Sequence, residues 1–238
     1  MKNCLNYNAE VLYPFYKALD DKVKNNDFLI DKSGCKIVEL IAPTIEFDMN
    51  LMGEGFIDFE SRKSPRKYIE KEKEWYLSKS LSIDAVKDVK IWTQVCNADE
   101  EINSNYGYLV FSKGNFSQFA NVVKTLKEHK DSRQAIIIYT RPSIQYEHNA
   151  LGGSDFICTN YQQFFIRDEK LHCVTSMRSN DCWTGTFSDI PWFLFVAHKL
   201  LNELSSTYPK LELGNLKFIP NSFHCYERNF EKLDEMVN

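Results

Sequence analysis

The chain has 238 residues, 43% of them hydrophobic, 14% aromatic and 26% charged, with a formal net charge of -4. That length is compatible with one large domain spanning 1–238, and the aromatic content argues against a disordered chain. The acidic balance, without a long basic run, weakens a reading as a dedicated nucleic-acid binder, although a local basic pocket for one phosphate stays open.

In chain order, Val11, Leu12, Phe15, Tyr16 and Leu19 recur at helical spacing and predict an amphipathic helix over Ala9 to Lys24. Phe28 to Asp31 and Lys36 to Asp48 read as extended, with Ser33-Gly34 turning between them. Ser64-Pro65 reads as cap and first turn of a helix through about Lys79. Asn115 is expected to cap a helix carrying Phe119, Val122, Val123 and Leu126. Gln134 to Tyr139, rich in Ile, reads as a buried strand.

Phe156 to Arg167 and Leu171 to Arg178 read as strands joined by a tight turn at Asp168-Glu169. Pro191 to Leu204 is strongly apolar at helical period and is expected to be the central buried helix. Leu211 to Tyr226 reads as strand and loop, and the last residues as a short helix. Helices mixed irregularly with strands imply an α+β fold rather than regular βαβ alternation.

The seven cysteines stand at 4, 35, 96, 158, 173, 182 and 225, with no CxxC pair, so no metal site or thioredoxin-type motif is expected. Met1 to Asn6 lacks the apolar stretch of a secretory leader, and no apolar run is long enough for a bilayer. A reducing cytoplasm is therefore the expected compartment, with no membrane partner.

The chemistry-bearing pattern lies in the second half. Cys158 sits in Ser154-Asp155-Phe156-Ile157-Cys158-Thr159-Asn160; Arg178-Ser179-Asn180-Asp181 follows, then Gly185-Thr186-Phe187-Ser188-Asp189. A cysteine is the most nucleophilic ordinary side chain once ionised, and a neighbouring arginine favours the thiolate. Most cysteines are small buried core residues, and a lone cysteine in a strand would ordinarily be structural.

These spacings resemble the catalytic half of the thymidylate synthase family, and further matches run from about Phe28 to Asn229. The resemblance implies that Cys158 adds to carbon 6 of a pyrimidine nucleotide, which makes carbon 5 a nucleophile. It implies that Glu72, three residues before Trp75, organises water and proton transfers; by periodicity alone Glu72 would be an exposed helix charge. Lys32 in Asp31-Lys32-Ser33-Gly34 resembles the N-terminal phosphate loop, where an arginine is usual. Asp131-Ser132-Arg133 resembles a segment whose arginines reach the partner subunit's nucleotide, with Gln134 in place of the second. Phosphate binding then rests on Arg133, Arg178 and Ser179, since a guanidinium donates two parallel hydrogen bonds. Alone, Arg133 would read as a surface charge.

By the same resemblance, His224 and Tyr226 hold the sugar 3'-hydroxyl. Trp92, Tyr106, Asp181 and Gly185 lie on the folate side, with 5,10-methylenetetrahydrofolate as co-substrate. The expected fold is thymidylate synthase-like: a central mixed β-sheet packed by helices, with a sheet face forming a homodimer interface.

One departure is informative. Thymidylate synthases carry asparagine where this chain has Asp189. A carboxylate, acceptor-only when ionised, suits the donor-bearing edge of cytosine rather than uracil. Thr159-Asn160 directly after the thiol, and a sequence that stops soon after His224-Cys225-Tyr226, also resemble the branch of the family that hydroxymethylates deoxycytidylate. A CMP hydroxymethylase, a thymidylate synthase, and an inactive relative serving as an RNA-binding or assembly protein are the alternatives that remain open at this stage.

Overall fold

The structure, a computed structural model, describes residues 5–238. Cys4 and most of the segment read for a leader lie outside the described residues. The order of elements is α1 (Tyr7–Lys24), β1 (Leu29–Ile30), β2 (Lys36–Ile41), β3 (Ile45–Asp48), α2 (Arg66–Ser78), α3 (Lys90–Val95), α4 (Tyr106–Phe111) and α5 (Gln118–Glu128). Then come β4 (Ile136–Ile138), α6 (Ile144–Glu147), β5 (Thr159–Arg167), β6 (Lys170–Met177), β7 (Asn180–Asp181), α7 (Gly185–Leu204), β8 (Glu212–Pro220), β9 (Ser222–Tyr226) and α8 (Phe230–Val237). The fold is α+β, and the expected mixed sheet is present as two: β3-β8-β6-β5-β4 and β1-β2-β9-β7. In each, one pair is parallel, β6 with β8 and β7 with β9; the other pairs are antiparallel.

The division into two sheets corrects the single extended reading of Lys36 to Asp48. Ala42 adopts φ +48°, followed by Pro43, so β2 ends at Ile41 and β3 starts at Ile45. The partner strands break at the same level: Asn221 separates β8 from β9, and its carbonyl accepts from Ala42 N at 3.0 Å. β2 pairs with β9 and β3 with β8, so this ribbon bends at Ala42 and Asn221 and joins two sheets.

The other boundaries also shift for local reasons. Ser64 does not cap α2: its hydroxyl is taken by Ile57, accepting from N at 2.7 Å and donating to O at 3.0 Å. Asn115 does not cap α5, because its amide donates to Leu109 O at 2.7 Å and the helix starts at Gln118. The Gln134–Tyr139 strand shortens to Ile136–Ile138 at a sheet edge, with Ile137 buried and Ile138 half exposed. β5 starts at Thr159 rather than Phe156, and α7 starts six residues before Pro191, at Gly185. Asp168 and Glu169 do form the tight turn, both at positive φ (+50° and +58°), as a two-residue hairpin of matching twist requires.

α7 covers the inner face of the five-stranded sheet with Ile190, Phe193, Leu194, Ala197 and Leu200 buried. Its backbone is tied there by Gln162, which donates to Phe193 O at 2.8 Å. α2 and α4 cross so closely that a Cβ on Gly107 would lie 1.7 Å from Tyr76 O. That contact requires glycine and brings Tyr76 and Tyr106 into a stack, with centroids 5.3 Å apart.

Candidate active site at the seam of the two sheets

The site forms where the chain crosses between sheets. Cys158 immediately precedes β5, and Arg178-Ser179 link β6 to β7. Arg178 N donates to Cys158 O at 2.7 Å, which continues the β5–β6 ladder one pair beyond the strands. Asp189 lies on the first turns of α7, which begins just after β7. Residues distant in sequence therefore meet because two strand ends and one helix start share a corner.

Arg178 is held rigidly beside the thiol. Its Nη2 donates to Phe156 O at 2.7 Å and approaches Cys158 Sγ at 3.5 Å, and its Nε donates to Ile157 O at 3.1 Å. The guanidinium carbon lies 4.6 Å from the Phe156 ring centroid. The expectation that the arginine favours the thiolate holds in direction, but it does not win. Burial pushes the Cys158 thiol up to about 11; Arg178 offsets part of this, while Asp189 and Asp155 add to it. Asp155 is itself buried and accepts from Ser104 Oγ (2.6 Å), Ser104 N (2.7 Å) and Asn103 N (2.7 Å).

Asp189 is half-buried. Burial, then the charge of Glu72, holds its carboxyl well above the usual range, against a hydrogen bond from Asn180. Asn180 Nδ2 donates to Asp189 Oδ2 at 2.8 Å, and the Thr186 hydroxyl donates to Asn180 Oδ1. Gly185 makes room for this pair, since a Cβ there would lie 3.2 Å from Asp189 Oδ2 and 3.1 Å from Asn180 Nδ2. Asn180 was not singled out by sequence; its flanking motif was, and an amide in the segment leading to Asp189 is the signal that could have found it.

Glu72 is 6% exposed, not a solvated helix charge. Tyr68 donates to its Oε1 at 2.5 Å. Burial pushes Glu72 up to about 7, with Tyr68 and Tyr76 pulling the other way. This carboxyl is thus poised to exchange a proton near neutrality. Tyr106 is 4% exposed, with its hydroxyl accepting from Thr159 Oγ1 at 2.8 Å, so it backs the residue next to the thiol. Trp92 packs on Trp75 at 5.0 Å, and its Nε1 is buried without a hydrogen-bond partner among the described residues.

A second cluster adjoins the first on the four-stranded sheet. Asp181 is in register with His224 across β7 and β9. Its oxygens accept from Trp183 N at 2.8 Å and Thr184 Oγ1 at 2.9 Å, and Arg228 lies 3.5 Å away. His224 is buried and packs edge-on against Tyr226 at 5.1 Å. The Asp31–Cys35 turn reaches this cluster: Asp31 lies near both His224 and Tyr226, and its Oδ1 accepts from Ser33 N, Ser33 Oγ and Cys35 N. Lys32 stands exposed on that turn, and Ser179 is half-buried beside Arg178.

Arg133 is not brought to this corner within the chain. It is exposed, just before the edge strand β4, and its carbonyl accepts from Gln163 Nε2 at 2.8 Å. Among the described residues no group of three or more His, Cys, Asp or Glu could hold a metal ion. Nor is any helix long and apolar enough to cross a membrane.

The family model described as Thymidylate synthase matches residues 14–238. Deoxycytidylate 5-hydroxymethyltransferase of Enterobacteria phage T6 is 39% identical over 219 residues, 89% of this chain and 85% of the relative. The protein of the same name from Enterobacteria phage T4 is 38% identical over 219 residues, with the same coverage. A thymidylate synthase of Francisella tularensis is 25% identical over 229 residues, 91% of this chain and 81% of the relative.

Proposed function

The chain belongs to the thymidylate synthase family, and from that premise we propose that it is a deoxycytidylate 5-hydroxymethyltransferase. The overall reaction converts dCMP, 5,10-methylenetetrahydrofolate and water into 5-hydroxymethyl-dCMP and tetrahydrofolate. The observation that carries this reading is Asp189, whose carboxylate accepts from Asn180 at 2.8 Å in the corner that holds Cys158. The similarity to relatives of that activity supports it.

Cys158 adds as thiolate to carbon 6 of the cytosine ring, and carbon 5 becomes the nucleophile. Asp189 meets the 4-amino group and ring nitrogen 3. A carboxyl with a raised pKa can carry a proton to that nitrogen, which helps the ring accept the thiolate. Carbon 5 takes the one-carbon unit, at the formaldehyde oxidation level, from the folate co-substrate; loss of the carbon 5 proton and departure of tetrahydrofolate then leave an exocyclic methylene. Glu72 removes a proton from the water that adds to the exocyclic methylene carbon on carbon 5, and elimination of Cys158 releases product. Trp92, Tyr106, Asp181 and Gly185 form the folate side. Asp181 fits such a site because Trp183 N, Thr184 Oγ1 and Arg228 hold its carboxylate in place. His224 and Tyr226 receive the sugar. Lys32, Arg178 and Ser179 receive the phosphate together with Arg133 of a second subunit.

The assembly in this reading is a twofold homodimer of single-domain protomers. Tyr161, Phe165, Val174 and Ile219 support it: they alternate with the buried Gln162, Phe164, Cys173 and Phe218 and so lie on the sheet face away from α7. Purified protein with methylenetetrahydrofolate and dCMP, CMP or dUMP tests the reaction by product mass and by the oxidation state of the folate. Hydroxymethyl-dCMP with tetrahydrofolate is the expected result. Methylated dUMP with dihydrofolate, or a preference for CMP, overturns the assignment.

A further inference from the structure

Tyr68 and Glu72 are four residues apart on α2, and so share one face of the helix. The Tyr68 hydroxyl donates to Glu72 Oε1 at 2.5 Å. Trp92 of α3 stands near Tyr68, and its indole Nε1 has no hydrogen-bond partner among the described residues. An ionised carboxylate can only accept, so the direction of the Tyr68–Glu72 bond is set, with the phenol proton toward Glu72. An acceptor-only carboxylate facing this phenol leaves its proton no competing use.

A cavity of about 470 Å³ runs between α2 and α7, and Glu72, Tyr76, Ser188 and Trp192 all line it. This is room for several waters beside the carboxylate. With Oε1 engaged by Tyr68, Oε2 is the oxygen left for a water in that space. We infer that Tyr68 is a positioning residue that fixes the Glu72 carboxylate so that its second oxygen handles the reacting water. This assignment rests on the proposed reaction for its chemical meaning, but the Tyr68–Glu72 coupling can be read without turnover.

The other groups facing Glu72 are Tyr76 of its own helix and Asp189 of α7. Glu54, Glu70, Lys73 and His198 line the same cavity, and Tyr106 of α4 stacks behind Tyr76. Tyr68 donates to Glu72 and Tyr76 also favours its ionised form, while Glu72 acts against ionisation of Asp189. Loss of the Tyr68 hydroxyl therefore has a definite sign.

The test compares Tyr68→Phe, Glu72→Gln and the double variant. Glu72 titration is read by carbon-13 resonances of glutamate-labelled protein, and turnover by hydroxymethyl-dCMP formation. In Tyr68→Phe the Glu72 midpoint is expected to move up by about one pH unit, since the ionised form loses a hydrogen bond. The kcat should fall about tenfold or more, its acid limb should move the same way, and KM for dCMP should stay within about twofold. In the Glu72→Gln background, Tyr68→Phe should have no further effect on kcat. An unmoved midpoint, or fully additive losses, overturns the inference even if wild type makes hydroxymethyl-dCMP. Wild type that makes none overturns the functional reading, and the titration still decides the coupling. If Tyr68→Phe unfolds, the ring carbon-13 resonances of Tyr68 in tyrosine-labelled wild type are followed instead: they should shift with the Glu72 midpoint, and a Tyr68 signal insensitive to that titration overturns the inference.

Discussion

Asn180 donates to Asp189 Oδ2 at 2.8 Å, and Thr186 donates to the Asn180 oxygen, so the amide faces the carboxyl in one orientation. In Asp189→Asn the introduced oxygen would turn toward Asn180 Nδ2, and its amide would face the base. A donor there matches the 4-oxo group of uracil and opposes the 4-amino group of cytosine. Turnover of dCMP is expected to fall by at least about a hundredfold, because buried polar groups would face mismatched partners. Binding or turnover of dUMP should rise. Side-by-side kcat/KM values for dCMP and dUMP check this, and an unchanged preference for dCMP would place specificity elsewhere.

The thiol provides a second prediction. Exchange of the carbon 5 hydrogen of dCMP with solvent needs thiolate addition but no chemistry on folate. Cys158→Ala should abolish this exchange, whereas Cys173→Ala or Cys182→Ala should leave it largely intact. Burial holds Cys158 up to about 11, so alkylation of the free enzyme at Cys158 should rise close to tenfold per pH unit between about 7 and 9. Arg178→Ala removes the charge that favours the thiolate, and alkylation at a given pH should slow further.

Arg133 gives a test of assembly. Homodimers of Arg133→Ala and of Cys158→Ala should each be nearly inactive. After subunit exchange, the hybrid has one site with Cys158 from one chain and Arg133 from the other, and a second site lacking both. Mixing should restore up to about half of the per-dimer activity in the hybrid fraction. Demonstrated exchange without recovery would remove Arg133 from the partner's site.

Stability should carry the signature of Glu72. Its folded-state carboxyl stands up at about 7 against an ordinary 4.5, so the folded state binds more protons between these values. Stability must then fall as pH rises through that window, by up to about 3 kcal/mol from this group alone. Asp189, also raised, acts in the same direction. Glu72→Gln removes the Glu72 contribution: in urea unfolding it should exceed wild type at pH 8, with the gap closing toward pH 5. A constant gap across that range would show that Glu72 does not titrate there.

The α2–α4 crossing gives a purely structural prediction. Gly107→Ala places a Cβ 1.7 Å from Tyr76 O, a backbone atom that cannot rotate away. The helices must separate, which should destabilise the protein by roughly 3 kcal/mol and loosen the Tyr76–Tyr106 stack. A lowered urea midpoint together with reduced turnover is expected.

Much of this protein follows from local pattern. The apolar stripe of α1, the apolar length of α7 and the Asp168-Glu169 hairpin are set by neighbours a few residues away, and periodicity reports such neighbours directly. Cys158, Arg178 and Asp189 carried the family resemblance, because it rests on side-chain type at fixed spacing. Other features depend on residues remote in the chain. Ser64 and Asn115 look like helix caps until tertiary partners, Ile57 and Leu109, claim their side chains. The bend at Ala42 depends on its partner Asn221 on the opposite strand. Glu72 lies in a run of charges that reads as solvated, yet the face it shares with Tyr68 is buried and packing against α7 sets it near Asp189. Desolvation is a property of everything within a few ångströms, whatever its place in the sequence. For that reason the sequence by itself determined which groups are present, and only the packed structure decided their protonation and partners.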